Sequence, residues 1–228
     1  MYLQITTKCN MKCAHCCYSC NKNGKHMPRN VWQDAIRFAE KWDSEVISIG
    51  GGEPTLHPDF FEILQRCMWG FSYVWMATNG SRTKTMRRLV NILNGEDYYN
   101  GEENAIIPEK DQFSVELSTD YYHDPISDEI RDYWERMTKA KRPGFGLRDV
   151  TQGPGPVEQG RAKRTSSGMR DGCCCPELTI RPDGKIKVCG CTNSPIIGDI
   201  WNGIEDTWKK FIEENEDFQD TRCYFGKI

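Results

Sequence analysis

The chain has 228 residues, with 30 Lys and Arg against 33 Asp and Glu, a formal net charge of -3, and 12 cysteines. So even a balance excludes a polyanion binder driven by bulk charge, and no nucleic-acid partner is expected. No apolar run approaches the roughly 18 residues of a membrane span, and no apolar segment follows Met1 as in a secretory signal, so the sequence reads as soluble and cytoplasmic.

Residues 2–7 read as a short strand with Leu3 and Ile5 on one face. Residues 28–42 read as a helix, with Pro28 near its start and Trp32, Ala35, Ile36 and Ala39 on one stripe. A strand at 46–50 precedes a helix at 58–69, where Phe60, Leu64, Cys67 and Met68 align and Cys67 is a plain core residue. A strand at 73–78 leads to a helix at 83–93 with Met86, Leu89, Val90 and Leu93 inward. A strand at 113–118, a helix at 126–140 with Ile130, Tyr133, Trp134 and Met137 inward, and a weaker strand at 144–150 follow. This alternation predicts a parallel sheet. Four βα units and a fifth strand are too few for an eight-unit barrel of about 250 residues, so the fold class is α/β, a partial, open βα barrel. Its chemistry belongs at the C-terminal ends of the strands.

Two stretches break the rhythm. Residues 94–111 hold six acidic residues and one lysine and read as a solvated surface excursion. Residues 152–170 are rich in Gly and Pro, then basic, and read as a linker. Beyond it, 177–181 and 185–189 flank Pro182-Asp183-Gly184 as a β-hairpin. A last helix spans 204–214, with Ile204, Trp208, Phe211 and Ile212 on one face. The expected division is a barrel at 1–168 and a small cysteine-bearing module at 169–228.

Eleven of the 12 cysteines lie in the first 20 or the last 56 residues. Disulfide frameworks serve small secreted domains that lack a core, whereas clustered thiols in a chain of this size point to metal or iron–sulfur ligation. Cys9, Cys13 and Cys16 form a C-x3-C-x2-C run just after the first strand. Three thiolates from one loop can hold three irons of a [4Fe–4S] cluster and leave the fourth open to a ligand. The same loop contains Cys17 and Cys20, and Cys9, Cys13, Cys16 and Cys20 could instead make a four-thiolate zinc site. Gly51-Gly52-Glu53-Pro54 ends the second strand, where glycines let the backbone approach a ligand closely.

C-x3-C-x2-C followed one βα unit later by GGEP resembles the radical S-adenosylmethionine (SAM) superfamily. Residues 51–64, GGEPTLHPDFFEIL, resemble members that carry extra C-terminal clusters. The resemblance implies that Cys9, Cys13 and Cys16 hold a [4Fe–4S] cluster whose open iron chelates SAM. It further implies that Gly51, Gly52 and Glu53 bind the methionine amino group, and that His15 lies near the adenine, simple loop packing being the alternative. Thr78-Asn79-Gly80 is similar to a TNG-type motif and places Asn79 beside SAM; the other reading is a Gly-terminated loop. Ser118 and Asp120 resemble an S-x-D pattern that serves the SAM ribose or the substrate; otherwise they cap the next helix. Gly160-Arg161-Ala162 resembles a late GRA motif. Arg161 could there hold a carboxylate bidentately, or be a surface arginine in a basic linker.

Cys173, Cys174 and Cys175 precede the hairpin, Cys189 ends it, and Cys191 and Cys223 follow. This resembles the SPASM and shorter twitch extensions, which implies an auxiliary iron–sulfur cluster. Two four-thiolate clusters would need about eight cysteines, so one is expected, held by about four of these six with Cys189 and Cys223 foremost. Adjacent side chains diverge, so three consecutive cysteines rarely all face one cluster; a structural zinc knuckle is the alternative. Cys17 and Cys20 read as non-ligands.

The implied function is an oxidoreductase of maturase type working anaerobically. SAM is cleaved reductively to a 5′-deoxyadenosyl radical that abstracts hydrogen from a substrate, a peptide or protein side chain or a small molecule. The implied electron source is a one-electron donor such as a flavodoxin or ferredoxin. Two alternatives stand beside it. A glycyl-radical-enzyme activase would not need the C-terminal cysteines. A non-catalytic iron–sulfur or zinc protein would not need GGEP, Ser118 and Asp120 at successive strand ends.

Overall fold

The computed structural model describes residues 1–98, 105–151, 160–162, 177–190, 192 and 194–214. Five strands run in the expected order: β1 (Tyr2–Thr6), β2 (Val46–Gly51), β3 (Tyr73–Thr78), β4 (Phe113–Ser118) and β5 (Phe145–Arg148). Between them lie α1 (Arg29–Lys41), α2 (Phe60–Gly70), α3 (Thr83–Asn94) and α4 (Asp128–Lys139). Each strand is parallel to its neighbours, as βα alternation requires, because a parallel pair needs a crossover helix. This is the α/β, parallel-rich open sheet of a partial barrel.

Strand alternation splits the sheet into two faces. Leu3, Ile5, Ile47, Ile49, Val74, Met76, Val115 and Leu117 are fully buried. They join one apolar core with Trp32 and Ile36 of α1, Ile63 and Cys67 of α2, Met86 and Leu89 of α3, and Trp134 of α4. Cys67 is therefore core, as its helical spacing predicts. On α3 the third inward residue is Ile92, with Val90 and Leu93 only partly buried, a small rotation of the stripe expected from sequence. The opposite face carries Tyr2, Ser48, Tyr73, Trp75, Ala77 and Ser118, which line a cavity.

The acidic excursion is not simply solvated. Asp97 is 1% exposed. It pairs with Arg88 at 3.0 Å and accepts the Ile106 N–H at 2.9 Å, so a buried charge is matched by a cation and by a backbone donor. Residues 99–104 lie outside the described residues.

The predicted hairpin is present as β6 (Thr179–Ile180) and β7 (Lys185–Lys187); β6 is shorter at both ends than the sequence suggests, and β7 starts where expected and ends two residues early. Two further strands, β8 (Ile196–Asp199) and β9 (Gly203–Ile204), continue it antiparallel before α5 (Asp206–Glu214). Neither is legible in the sequence, because four- and two-residue strands around Gly198 and Gly203 are too short to show alternation. β6 adds in parallel to the outer edge of β1, with Tyr2 opposite Thr179, so one sheet runs β5-β4-β3-β2-β1-β6-β7-β8-β9. The expected division at 168/169 falls in a stretch outside the described residues. Among the described residues no helix is long and apolar enough to cross a membrane.

Candidate functional site

Parallel strands place all their C-terminal ends on one rim. Cys9, Gly51 to Glu53, Thr78 and Asn79, Ser118, and Arg148 follow or end β1 to β5 respectively, and all line one cavity of about 430 Å³. Cys13, His15, Cys16, Cys17, Cys20 and His123 complete its wall there, and Tyr2, Tyr73 and Trp75 line it further down the strands.

The cysteine loop follows β1 and lines the cavity. Cys9, Cys13, Cys16, Cys17 and Cys20 are all free thiols, not disulfides. Burial, with Glu53, Cys13 and Cys16 nearby, pushes the Cys9 thiol up to about 11. A hydrogen bond from the Cys20 thiol pulls Cys16 down to about 6, helped by the Arg161 guanidinium, and the same bond pushes Cys20 up. Cys20 is thus a hydrogen-bonding partner of Cys16 in the same wall, a role its spacing did not reveal.

Among the described residues, one trio of potential metal donors lies within 4.8 Å of one another: Cys13, His15 and His123. The thiols of Cys9, Cys13 and Cys16 ring the same cavity without closing to that distance. A tetrahedral zinc with bonds of about 2.0–2.3 Å needs its donors closer than that. Three soft thiols lining one cavity are ligands that suit an iron–sulfur cluster.

The GGEP segment is held by the protein's own backbone. Gly52 N–H donates to the Thr6 carbonyl at 2.8 Å, and Glu53 N–H to the Lys8 carbonyl at 3.0 Å. A Cβ at Gly51, whose φ is +130°, would strike the Thr6 carbonyl, and one at Gly52 the Lys8 carbonyl. The close approach that demands glycine is first of all that of the β1 exit.

Glu53 is 1% exposed, and its carboxylate accepts from Thr55 N–H and Oγ1, Thr78 Oγ1 and Asn79 N–H. Burial pushes its pKa up against those donors. Asn79 is committed too: its Nδ2 donates to Asn10 Oδ1 at 3.1 Å and approaches Cys9 Sγ at 3.9 Å.

His15 packs against Tyr122 and His123, with ring centroids 4.8 and 5.0 Å away. Burial lowers its pKa to about 4, so the ring is neutral near pH 7, and its buried Nδ1 has no hydrogen-bond partner among the described residues. Asp120 does not cap the next helix, whose N-cap is Ser127. Its Oδ1 instead accepts His123 Nδ1 at 2.8 Å and Tyr122 N–H at 3.1 Å. Burial opposes protonation of His123, but the bonds to Asp120 and Cys13 prevail and raise it to about 9. Ser118 lines the cavity opposite Arg148 in the β4–β5 register.

Arg161 is not a loose linker arginine. Its Nε donates to the Cys13 carbonyl at 3.0 Å and its Nη1 to the Cys20 carbonyl at 2.7 Å. Of the C-terminal cysteines only Cys189 is described; it is buried, and its N–H donates to Ser194 Oγ at 3.2 Å. Cys173, Cys174, Cys175, Cys191 and Cys223 lie outside the described residues.

Tyr2, Trp75, His123 and Arg148 also line the cavity and belong to no motif legible in the sequence. The aromatic residues carried a signal, since Tyr73 and Trp75 alternate with buried Val74 and Met76 and must face away from the helices. Arg148 makes no ion pair among the described residues and stands at the rim as an available cation.

A family model described as the radical SAM superfamily matches residues 3–147. The mycofactocin maturase MftC of Mycobacterium ulcerans is 35% identical over 80 residues, 35% of this chain and 22% of that protein. The chain thus matches about a fifth of that relative's length. The structure of BtrN in complex with AdoMet and 2-DOIA superposes with a TM-score of 0.64 at 14% identity, over 93% of this chain and 84% of that one. That of anSMEcpe with bound AdoMet and Cp18Cys peptide gives 0.54 at 15% identity, over 96% and 81%.

Proposed function

The chain belongs to the radical SAM superfamily, and on that premise we propose that it cleaves SAM reductively and acts on a substrate held in the rim cavity. Cys9, Cys13 and Cys16 would hold a [4Fe–4S] cluster. When bound, that cluster supplies the single electron that splits SAM into methionine and a 5′-deoxyadenosyl radical, which takes hydrogen from the substrate.

The chain's own groups match SAM part by part. The N–H groups of Gly52 and Glu53 are spent on Thr6 and Lys8, so at these two positions the backbone has carbonyl oxygen to offer, which suits an ammonium. Arg148 is available for a carboxylate. His15, kept neutral by burial, offers a flat face to a purine. Ser118 adds a hydroxyl at the end of β4. The glutamate and asparagine of the motifs act one layer back: Glu53 fixes the ends of β2 and β3, and Asn79 reaches towards Cys9. Tyr2, Tyr73 and Trp75 favour an apolar or aromatic group deeper in the cavity, which supports a peptide or protein side chain as substrate.

The C-terminal third would carry one auxiliary iron–sulfur cluster, with Cys189 and Cys223 as the first ligands and the rest from Cys173, Cys174, Cys175 and Cys191. A flavodoxin or ferredoxin would deliver the electron. A cytoplasmic setting fits thiols that must stay reduced.

The observation that carries this reading is the convergence of five strand ends on one cysteine-rimmed cavity. Its test is anaerobic reconstitution with iron and sulfide, followed by SAM and dithionite. Chromatography should detect 5′-deoxyadenosine, and Cys13→Ala should abolish it. A loaded wild type that never yields 5′-deoxyadenosine would overturn the reading.

A further inference from the structure

Arg161 touches the cysteine loop at three points. Besides the bonds of its guanidinium to the Cys13 and Cys20 carbonyls at 3.0 and 2.7 Å, its backbone N–H donates to the Cys16 carbonyl at 3.0 Å. The residue before it is Gly160, with φ +55°, and a Cβ there would strike the Cys17 carbonyl. Ala162, after it, is fully buried. Each letter of the GRA motif therefore has a physical role: approach, clamp and seat. A fourth bond comes from further along the chain, where Thr192 Oγ1 donates to the Cys17 carbonyl at 2.7 Å.

The carbonyls of Cys13, Cys16, Cys17 and Cys20 thus all accept from residues in the C-terminal third. Inside the loop, Cys16 N–H donates to the Cys13 carbonyl at 3.2 Å and Ser19 N–H to the Cys16 carbonyl at 3.4 Å, so Arg161 takes a second lone pair on each of these oxygens and adds to turn bonds the loop already makes. A planar guanidinium bonded to two carbonyls holds both their separation and their orientation, which an ammonium cannot do.

We propose that Arg161 is a positioning residue for the metal loop. Its fork across Cys13 and Cys20 holds Cys13 and Cys16 in the arrangement that accepts the cluster. The segment around residue 161 therefore adds to the loop's own turn bonds in fixing that geometry. This rests on Cys9, Cys13 and Cys16 being the cluster ligands. The role differs from the carboxylate-binding one that the motif suggested, because both donors that the structure accounts for face the protein.

The full chain, reconstituted anaerobically as wild type, Arg161→Lys, Arg161→Ala and Arg37→Ala, tests this. The readout is the electron paramagnetic resonance signal of the reduced protein and its change when SAM is added, which reports on the N-terminal cluster alone. Arg161→Ala should lose about tenfold of the SAM-responsive signal, in the range seen when a residue behind metal ligands is removed. Guanidinium ion in the buffer should restore much of it. Arg161→Lys should fall between, and Arg37→Ala should match wild type. If Arg161→Ala does not fold by circular dichroism, Arg161→Lys, which keeps the stem and the charge, decides. An Arg161→Lys protein with a wild-type signal and a wild-type response to SAM overturns the clamp and leaves the cluster assignment standing. A wild type whose signal ignores SAM would instead remove the cysteine assignment, and the clamp with it.

Discussion

The backbone N–H of Asn79 donates to the Glu53 carboxylate at 2.7 Å, tying the end of β3 to the end of β2. Thr78 Oγ1 and Thr55 Oγ1 reach the other oxygen at 2.7 and 2.6 Å. One buried acid therefore sets the spacing of two rim segments that also line the cavity. Glu53→Ala should destabilise the cluster-free chain by about 3 kcal/mol, since it strands several buried donors. Glu53→Gln should do less harm, keeping one oxygen while turning an NH2 towards donors. Urea denaturation reads both, and an unchanged midpoint for Glu53→Ala would show that the network does not hold the rim.

The two motif glycines should be intolerant for a reason that Gly95 does not share. A Cβ at Gly52 meets the Lys8 carbonyl, whereas one at Gly95, with φ +72°, meets nothing within 4 Å among the described residues. Gly95→Ala should cost only the left-handed backbone strain, about 1 kcal/mol. Gly52→Ala should cost about 2–3 kcal/mol, because backbone must move. Thermal melts of the two variants should rank them in that order.

The ligand assignment separates Cys67 from the loop. Cys9→Ala, Cys13→Ala and Cys16→Ala should each lose about four irons per chain, while Cys67→Ala should load fully and lose about 1–2 kcal/mol of stability from its small cavity. Iron analysis beside a denaturation curve distinguishes the two patterns; a Cys67→Ala protein poor in iron would contradict them.

Asp97 anchors the acidic excursion from inside. Asp97→Ala leaves the Arg88 guanidinium and the Ile106 N–H without their shared partner, and should lose about 3–5 kcal/mol. Asp128→Ala, which removes an exposed partner of Arg131, should lose under about 1 kcal/mol. Equal midpoints for the two variants would refute the distinction.

Acid should weaken the C-terminal strands through Asp199. The backbone N–H of Asn202 is the main force holding its carboxyl down at about 2, with the Asn202 amide, Lys185 and the Trp201 N–H adding to it. A depressed folded value means that the contribution is complete above the unfolded value of about 3.9 and disappears as pH falls through the folded one. Asp199→Asn should therefore flatten the loss of stability between about pH 4 and pH 2. Acid titration followed by near-ultraviolet circular dichroism measures that slope.

The strands and helices of the first two-thirds were legible because their faces repeat with clean periods; Val74 and Met76 against Tyr73 and Trp75 is the clearest case. The short β8 and β9 were not, since pairing with a preformed edge can make a strand of two residues that no local pattern marks. Within the site, Cys9, Gly51, Gly52 and Glu53 stood out by motif. His123 and Arg148 did not, because each is one polar residue whose meaning comes from what the sheet brings beside it.

By itself the sequence determined the alternation of β and α, hence parallel strands, hence a rim where all their C-terminal ends gather. It also determined which residue types stand at that rim, because motif positions and strand ends are both local properties. Only the tertiary structure decided what those groups do to each other. It turned Glu53 inward onto two strand ends, gave the glycines to the Thr6 and Lys8 carbonyls, and brought Arg161 across 148 residues to the Cys13 carbonyl. Such pairings depend on how the chain closes in space, and spacing along the chain carries no record of it.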